Sequence, residues 1–217
     1  CKSGKIILLK IIIIKGKFMS KYLFGHIAAL LTIFIWGTTF ISTKILLVGF
    51  KPIEILFFRF LIGLIALLII YPKRLKKTTK DQEITFALAG LCGVTLYFLL
   101  ENIALTYSMA SNIGVIISIA PFFTAILSDF VLKEKSLKSN FIIGFIAAMM
   151  GIALISFNGT SNFKLNPIGD VLALLAALVW AIYSVLTKKI SEYGYNTIQV
   201  TRRIFIYGIA FMLIALV

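Results

Sequence analysis

Three residue types that can act inside a membrane recur in one spacing: Trp36, Lys44 and Arg59, then Trp180, Lys188 and Arg203. An arginine within an apolar run is costly. It is kept where it meets a carboxylate, a backbone carbonyl or an anionic solute. The acid that suits Arg59 is Glu101, near the end of the next apolar run but one turn beyond Tyr97. Such a pair would close a solute path or hold a charged group of a solute; the alternative is that Arg59 snorkels to the interface. Trp36 and Trp180 sit mid-run, whereas membrane aromatics gather at interfaces. Each either lines a cavity and stacks on a solute or packs helix against helix.

Around each tryptophan lie hydroxyls: Thr38, Thr39 and Thr43, then Tyr183, Ser184 and Thr187. They face a solute or bond to their own helix backbone, as hydroxyls in membranes often do. Asn112 and Pro121 share one run, and Pro121 must break a helix hydrogen bond and free a carbonyl. At membrane depth that is tolerated where the backbone lines a cavity or pairs with neighbours. Asp129 either relays protons or reaches the headgroups. With one histidine, His26, and two cysteines, Cys1 and Cys92, neither a metal site nor a disulfide framework is expected.

The elements that hold these residues are membrane spans. Sixty per cent of the 217 residues are hydrophobic and 14% are charged, with a mean hydropathy of +1.04. Soluble chains are about 45–50% apolar and about 25% charged. Apolar runs predict spans at 22–43, 55–71 (interrupted by Arg59), 84–100 (continuing past Glu101 to about 105), 111–132, 139–157 and 171–187, and a seventh from 204. Each complete run approaches the ~20 residues that cross a bilayer. The net charge of +14 does not point to nucleic acid, because the cations lie in loops between spans and not along one face. Lys73, Arg74, Lys76, Lys77 and Lys80, then Lys133, Lys135 and Lys138, then Lys188, Lys189, Arg202 and Arg203, all belong to one side. Basic loops stay in the cytoplasm, which places the N-terminus there too.

Residues 25–70 align without a gap onto 169–214 at an offset of 144, with 12 identities in 46 positions. Five spans separate the copies, so the second enters the membrane upside down. Lys44 then faces outside and Lys188 inside. Inverted repeats are characteristic of secondary transporters, whose related halves exchange inward- and outward-open states. Residues 1–18, ahead of Met19, are nearly all Lys, Ile, Leu and Gly. They are expected to be upstream sequence outside the fold, with a basic amphipathic anchor as the alternative. Gly144, Ala147, Ala148 and Gly151 predict a close-packing face on the fifth span. Asn158-Gly159-Thr160 fits a glycosylation sequon, a pattern frequent by chance.

Several stretches resemble the EamA-type carriers of the drug/metabolite transporter superfamily. They are Ala104-Leu105-x-Tyr107-Ser108-x-Ala110-Ser111-Asn112, Pro121-Phe122-Phe123-Thr124-Ala125, Leu132-Lys133-Glu134, Arg59-Phe60, and Gly169-x3-Ala173-Leu174-Leu175-Ala176-Ala177-x2-Trp180-Ala181-x-Tyr183-Ser184. Lys133-Glu134 departs from the family's usual Gly-Glu. The resemblance implies an all-α polytopic membrane protein of two inverted five-helix repeats, the first at 19–160 and the second beginning at 161–217. It further implies both termini in the cytoplasm of a bacterial inner membrane, a cavity walled by helices 1–4 and 6–9, and export or exchange of metabolites such as amino acids. On that frame the substrate-binding residues are expected to be Trp36, Thr39, Arg59, Tyr97, Glu101, Asn112, Pro121, Trp180 and Tyr183. The partners are lipid and a small solute, not nucleic acid, and a homodimer stays open. No cofactor is expected.

Three other readings compete. A membrane enzyme would need clustered acids, His or Cys at catalytic depth, which the sequence lacks. A helical scaffold or sensor would be expected to carry a soluble output module, and none is visible. An inactive gene fragment is the third. No nucleotide-binding Gly-x4-Gly-Lys-[Ser/Thr] loop is present. The second repeat requires three more spans, so the whole product is expected at roughly 290 residues from Met19. A stop codon directly after Val217 in the gene contradicts that.

The orientation is testable by cysteine placed at Lys76 or Lys164 and probed in intact cells with a membrane-impermeant thiol reagent. Position 164 is expected to label and position 76 to stay protected; the opposite pattern inverts the topology.

Overall fold

The computed structural model describes residues 2–75, 77–156 and 166–216. Lys76, Lys164 and the Asn158-Gly159-Thr160 tripeptide lie outside the described residues. The described chain is helical: α1 (Lys2–Leu46), α2 (Pro52–Ile70), α3 (Lys80–Tyr107), α4 (Ala110–Val131), α5 (Ser139–Ser156), α6 (Pro167–Ser191) and α7 (Thr197–Leu216). Six of them contain segments long and apolar enough to cross a membrane, and α5 is a further apolar helix. A chain in hydrocarbon must bond its own backbone, and helices do so within each segment. These features make the protein a polytopic helical membrane protein.

Two compact units divide the chain, residues 1–42 and 43–217. In the first, α1 runs as one helix through the Met19 position. In the second, the ends of the helices follow from local sequence. Pro52 starts α2, where its missing N–H costs nothing, and Glu54 accepts from the Lys51 N–H at 2.9 Å. Thr79 and Gln82 form a reciprocal cap on α3. Asn166 caps α6 through the Gly169 N–H, and Pro167 follows it. In α4 the helix breaks at Ser118–Ile119, just ahead of Pro121, as the missing donor requires.

Helix α3 is the centre of the second unit. It packs on α6 and α7, and its middle widens to a π-helical stretch at Leu91–Leu96. Close approach is possible because glycines face one another. A Cβ on Gly208 of α7 would sit 2.3 Å from Val94, and one on Gly90 would sit 2.8 Å from the Ile204 carbonyl. At the same crossing Thr95 donates to the Gly208 carbonyl at 2.9 Å. On α6 the approach depends on Ala173, Ala176, Ala177 and Ala181, all fully buried. Small residues bring helix backbones together where no hydrophobic effect drives association. Phe86, Leu56, Ile204 and Met212 fill the space beside the crossing.

The small-residue face expected on α5 is not packed within the described structure. A Cβ on Gly144 or Gly151 would meet nothing within 4 Å. The contrast yields a test. Gly208→Leu is expected to destabilise the protein by about 1–3 kcal/mol through overpacking, whereas Gly144→Leu is expected to be tolerated. Thermal midpoints of the detergent-solubilised variants compare them directly, and equal midpoints contradict the packing described.

Candidate functional site

Helices α2, α3 and α6 bring five of the nine expected site residues into one connected cluster. Tyr97 stacks at a tilt on Trp180, with ring centroids 4.7 Å apart, and Trp180 contacts Tyr183 at 5.2 Å. Tyr183 reaches this position because Gly93 opposite it has no side chain; a Cβ there would fall 2.2 Å from the ring. The π-helical stretch ends where Tyr97 begins the next α turn. π-Bulges inside α-helices are frequent at functional sites. Below the cluster Phe98, Phe60 and Phe205 continue the aromatic wall in edge-to-face contacts of 5.0–5.2 Å.

Glu101 lies one turn from Tyr97 on α3 and is 3% exposed. Arg59 approaches from α2. Its guanidinium carbon is 4.6 Å from the Phe98 ring centre and 5.8 Å from that of Phe60. The direct ion pair expected between Arg59 and Glu101 is not formed here: among the described residues the ion pairs are Glu83–Arg203 and Glu134–Lys188. Arg59 instead lies against the aromatic faces, where the ring quadrupole attracts a cation. Its Nε and one terminal nitrogen are buried without a hydrogen-bond partner. A buried guanidinium with spare donors, near a buried carboxylate and three aromatic rings, is suited to a small solute bearing both an ionised and an apolar part.

Pro121 joins Trp180 on the wall of a cleft of about 440 Å³ between α4 and α6. Thr124, Ser128, Ser136 and Ser184 supply its hydroxyls, and the paired Glu134 and Lys188 also line it. Asn112 is buried on the first part of α4, which packs on α6. Trp36 and Thr39 belong to the other unit. There the hydroxyls follow the self-satisfied reading: Thr38 donates to the Ile35 carbonyl and Thr39 to that of Trp36, each at 2.7 Å. In α6, Ser184 and Thr187 likewise donate to carbonyls of their own helix. Asp129 accepts from the Ser136 N–H at 2.6 Å, so it fastens the loop after α4.

The structure also gives Arg203, which the repeat frame points to, partners that sequence reasoning missed. Arg203 and Tyr207 converge with Thr78 on Glu83, at 2.5–3.2 Å. Arg202, 4% exposed, donates to the carbonyls of Tyr71 and Lys73 at the end of α2. At the opposite ends of the same helices Lys44 donates to the Leu105 and Ser108 carbonyls, 2.8 Å in the second case, and so caps α3. Arg203 and Glu83 each lie a few residues inside their spans, as Arg59 and Glu101 do at the other end. Among the described residues no three His, Cys, Asp or Glu side chains group as metal ligands.

Residues 23–157 match the model of the EamA-like transporter family. An uncharacterized transporter of Clostridium kluyveri is 33% identical over 208 residues, covering 89% of this chain and 65% of its own length. One from Archaeoglobus fulgidus is 33% identical over 180 residues, covering 82% and 62%. The uncharacterized transporter YdfC of Bacillus subtilis is 31% identical over 168 residues, covering 76% and 54%. The chain thus spans less than two thirds of the length of these curated relatives. No solved structure matches it. With more than half its residues matched by the family model, the chain belongs to the EamA-like transporter family.

Proposed function

We propose that the whole protein is a secondary carrier that exports or exchanges small organic solutes, amino acids or related metabolites, by alternating access. The observation that carries this reading is the buried Glu101, held within a span beside Arg59, Tyr97 and Trp180. Ionisable groups at membrane depth are costly and mark solute or ion pathways. The inverted repeat supports the reading, because two related halves can take the two access states in turn. So do the relatives, which are themselves named transporters.

The membrane is taken to be the bacterial inner membrane, with the N-terminus and the basic loops in the cytoplasm. Arg59 and Glu101 then lie near the outer mouth, Trp180 and Tyr183 deeper. Arg59 takes a carboxylate or phosphate of the solute, Glu101 takes a cationic group, and the rings cover its apolar part. Asn112 and Pro121 complete the binding surface in this proposal.

Proteoliposomes bearing the whole gene product and loaded with an isotope-labelled amino-acid mixture test it, with efflux followed by mass spectrometry. Arg59→Leu and Glu101→Leu are each expected to slow efflux roughly tenfold, the effect of about 1.4 kcal/mol, with membrane insertion unchanged. Full activity in both single variants ends the assignment of this site. No efflux of any solute from wild-type protein ends the carrier.

A further inference from the structure

The repeat pairs Lys44 with Lys188 and Arg59 with Arg203, at opposite ends of the helices. Their surroundings are not symmetric. At the end that carries Lys73, Arg74, Lys77 and Lys80, both repeat cations hold carboxylates: Arg203 binds Glu83 with its shortest contact at 2.6 Å, and Lys188 pairs with Glu134. At the other end neither does. Lys44 bonds carbonyl oxygens and Arg59 rests on Phe98, with no carboxylate at ion-pair distance among the described residues.

Helix α3 carries an acid for each arginine. Glu83 lies near one end and Glu101 near the other, about 27 Å apart at 1.5 Å per residue. The π-helical stretch Leu91–Leu96 falls midway between them. More polar contacts join the first repeat to the second around Glu83. Tyr195 bonds Gln82 at 2.8 Å, and Gln199 donates to the carbonyls of Lys73 and Arg74 at 3.1 and 3.0 Å.

We infer that Glu83 and Glu134 are gate carboxylates that bind Arg203 and Lys188 in the conformation seen here, while Arg59 and Glu101, at the other end, form no ion pair with each other. This rests on the carrier reading. In the alternate state Arg203 and Lys188 release their carboxylates and Arg59 closes on Glu101. Charge-assisted bonds suit this task, because they are strong when the geometry is met and are replaced by water when it is not. Glu83 and Glu134 are positioning residues in this scheme and need not touch the solute.

The test measures distance, independently of transport. Spin labels are placed at Asp81 and Thr197, both exposed, in the whole gene product with Cys92 and every other native cysteine replaced by serine, reconstituted in lipid nanodiscs. Wild type is expected to show one dominant short distance. Glu83→Gln with Glu134→Gln is expected to add a population longer by about 5 Å, the scale of a one-turn helix displacement. The charge reversal Glu83→Arg with Arg203→Glu is expected to restore the short distance, which a merely structural role would not predict. Arg203→Gln with Lys188→Gln is read in parallel, so the gate stays testable if the acid variants fail to insert. An unchanged distribution in the neutralised variants, or a charge reversal that stays long, overturns the gate. Efflux measured on the same preparations separates the two readings. Unmoved distances in a working carrier remove the gate alone. Distances that move in a protein that carries nothing remove the carrier, and with it the reading of this end as a gate.

Discussion

The crossing of α3 with α6 and α7 has no spare volume, and most of the remaining geometry depends on it. Gly90, Gly93 and Gly208 mark places where even a methyl group would collide with backbone or ring atoms. In lipid, helices gain nothing from hiding apolar surface, so close packing and buried hydrogen bonds must hold them. The Thr95 bond to the Gly208 carbonyl is one such bond, formed only because the glycines let the two backbones meet. The π-helical stretch lies on the same segment, and it sets the direction in which Tyr97 leaves α3. Tyr97 in turn sets the contact with Trp180.

From this crossing the polar groups separate to the two ends of α3. At one end Glu83 gathers an arginine, a tyrosine and a threonine, so every oxygen has a donor. At the other, Glu101 is more deeply buried and Arg59 has unused nitrogens. Saturated groups favour rigidity, whereas unsatisfied buried donors are costly. The unsatisfied donors of Arg59 lie at the Glu101 end.

Hydroxyls are poorer guides than charges. Thr38, Thr39, Ser184 and Thr187 all bond carbonyls three or four residues back on their own helices. A short hydroxyl side chain reaches its own backbone at little cost. Arginine and glutamate lack that local alternative and must find partners across helices, so their positions carry more information about tertiary structure.

Composition, run length and loop charge by themselves determined that this chain is helical and crosses a membrane several times, because a bilayer permits few other solutions. The Trp, Lys and Arg frame located Arg59 and Arg203, since repeat symmetry is a property of spacing. Pro121 located the break in α4, because a missing N–H acts locally. The identity of each arginine's partner was another matter. Arg59 lies on Phe98, not on Glu101, and Arg203 binds Glu83, because helix rotation decides which faces meet, and rotation depends on the packing at Gly90, Gly93 and Gly208. The π-helical stretch was invisible in the sequence for the same reason. One extra residue in a turn is stabilised by neighbours across the crossing, and Leu91–Leu96 has no local composition that demands it.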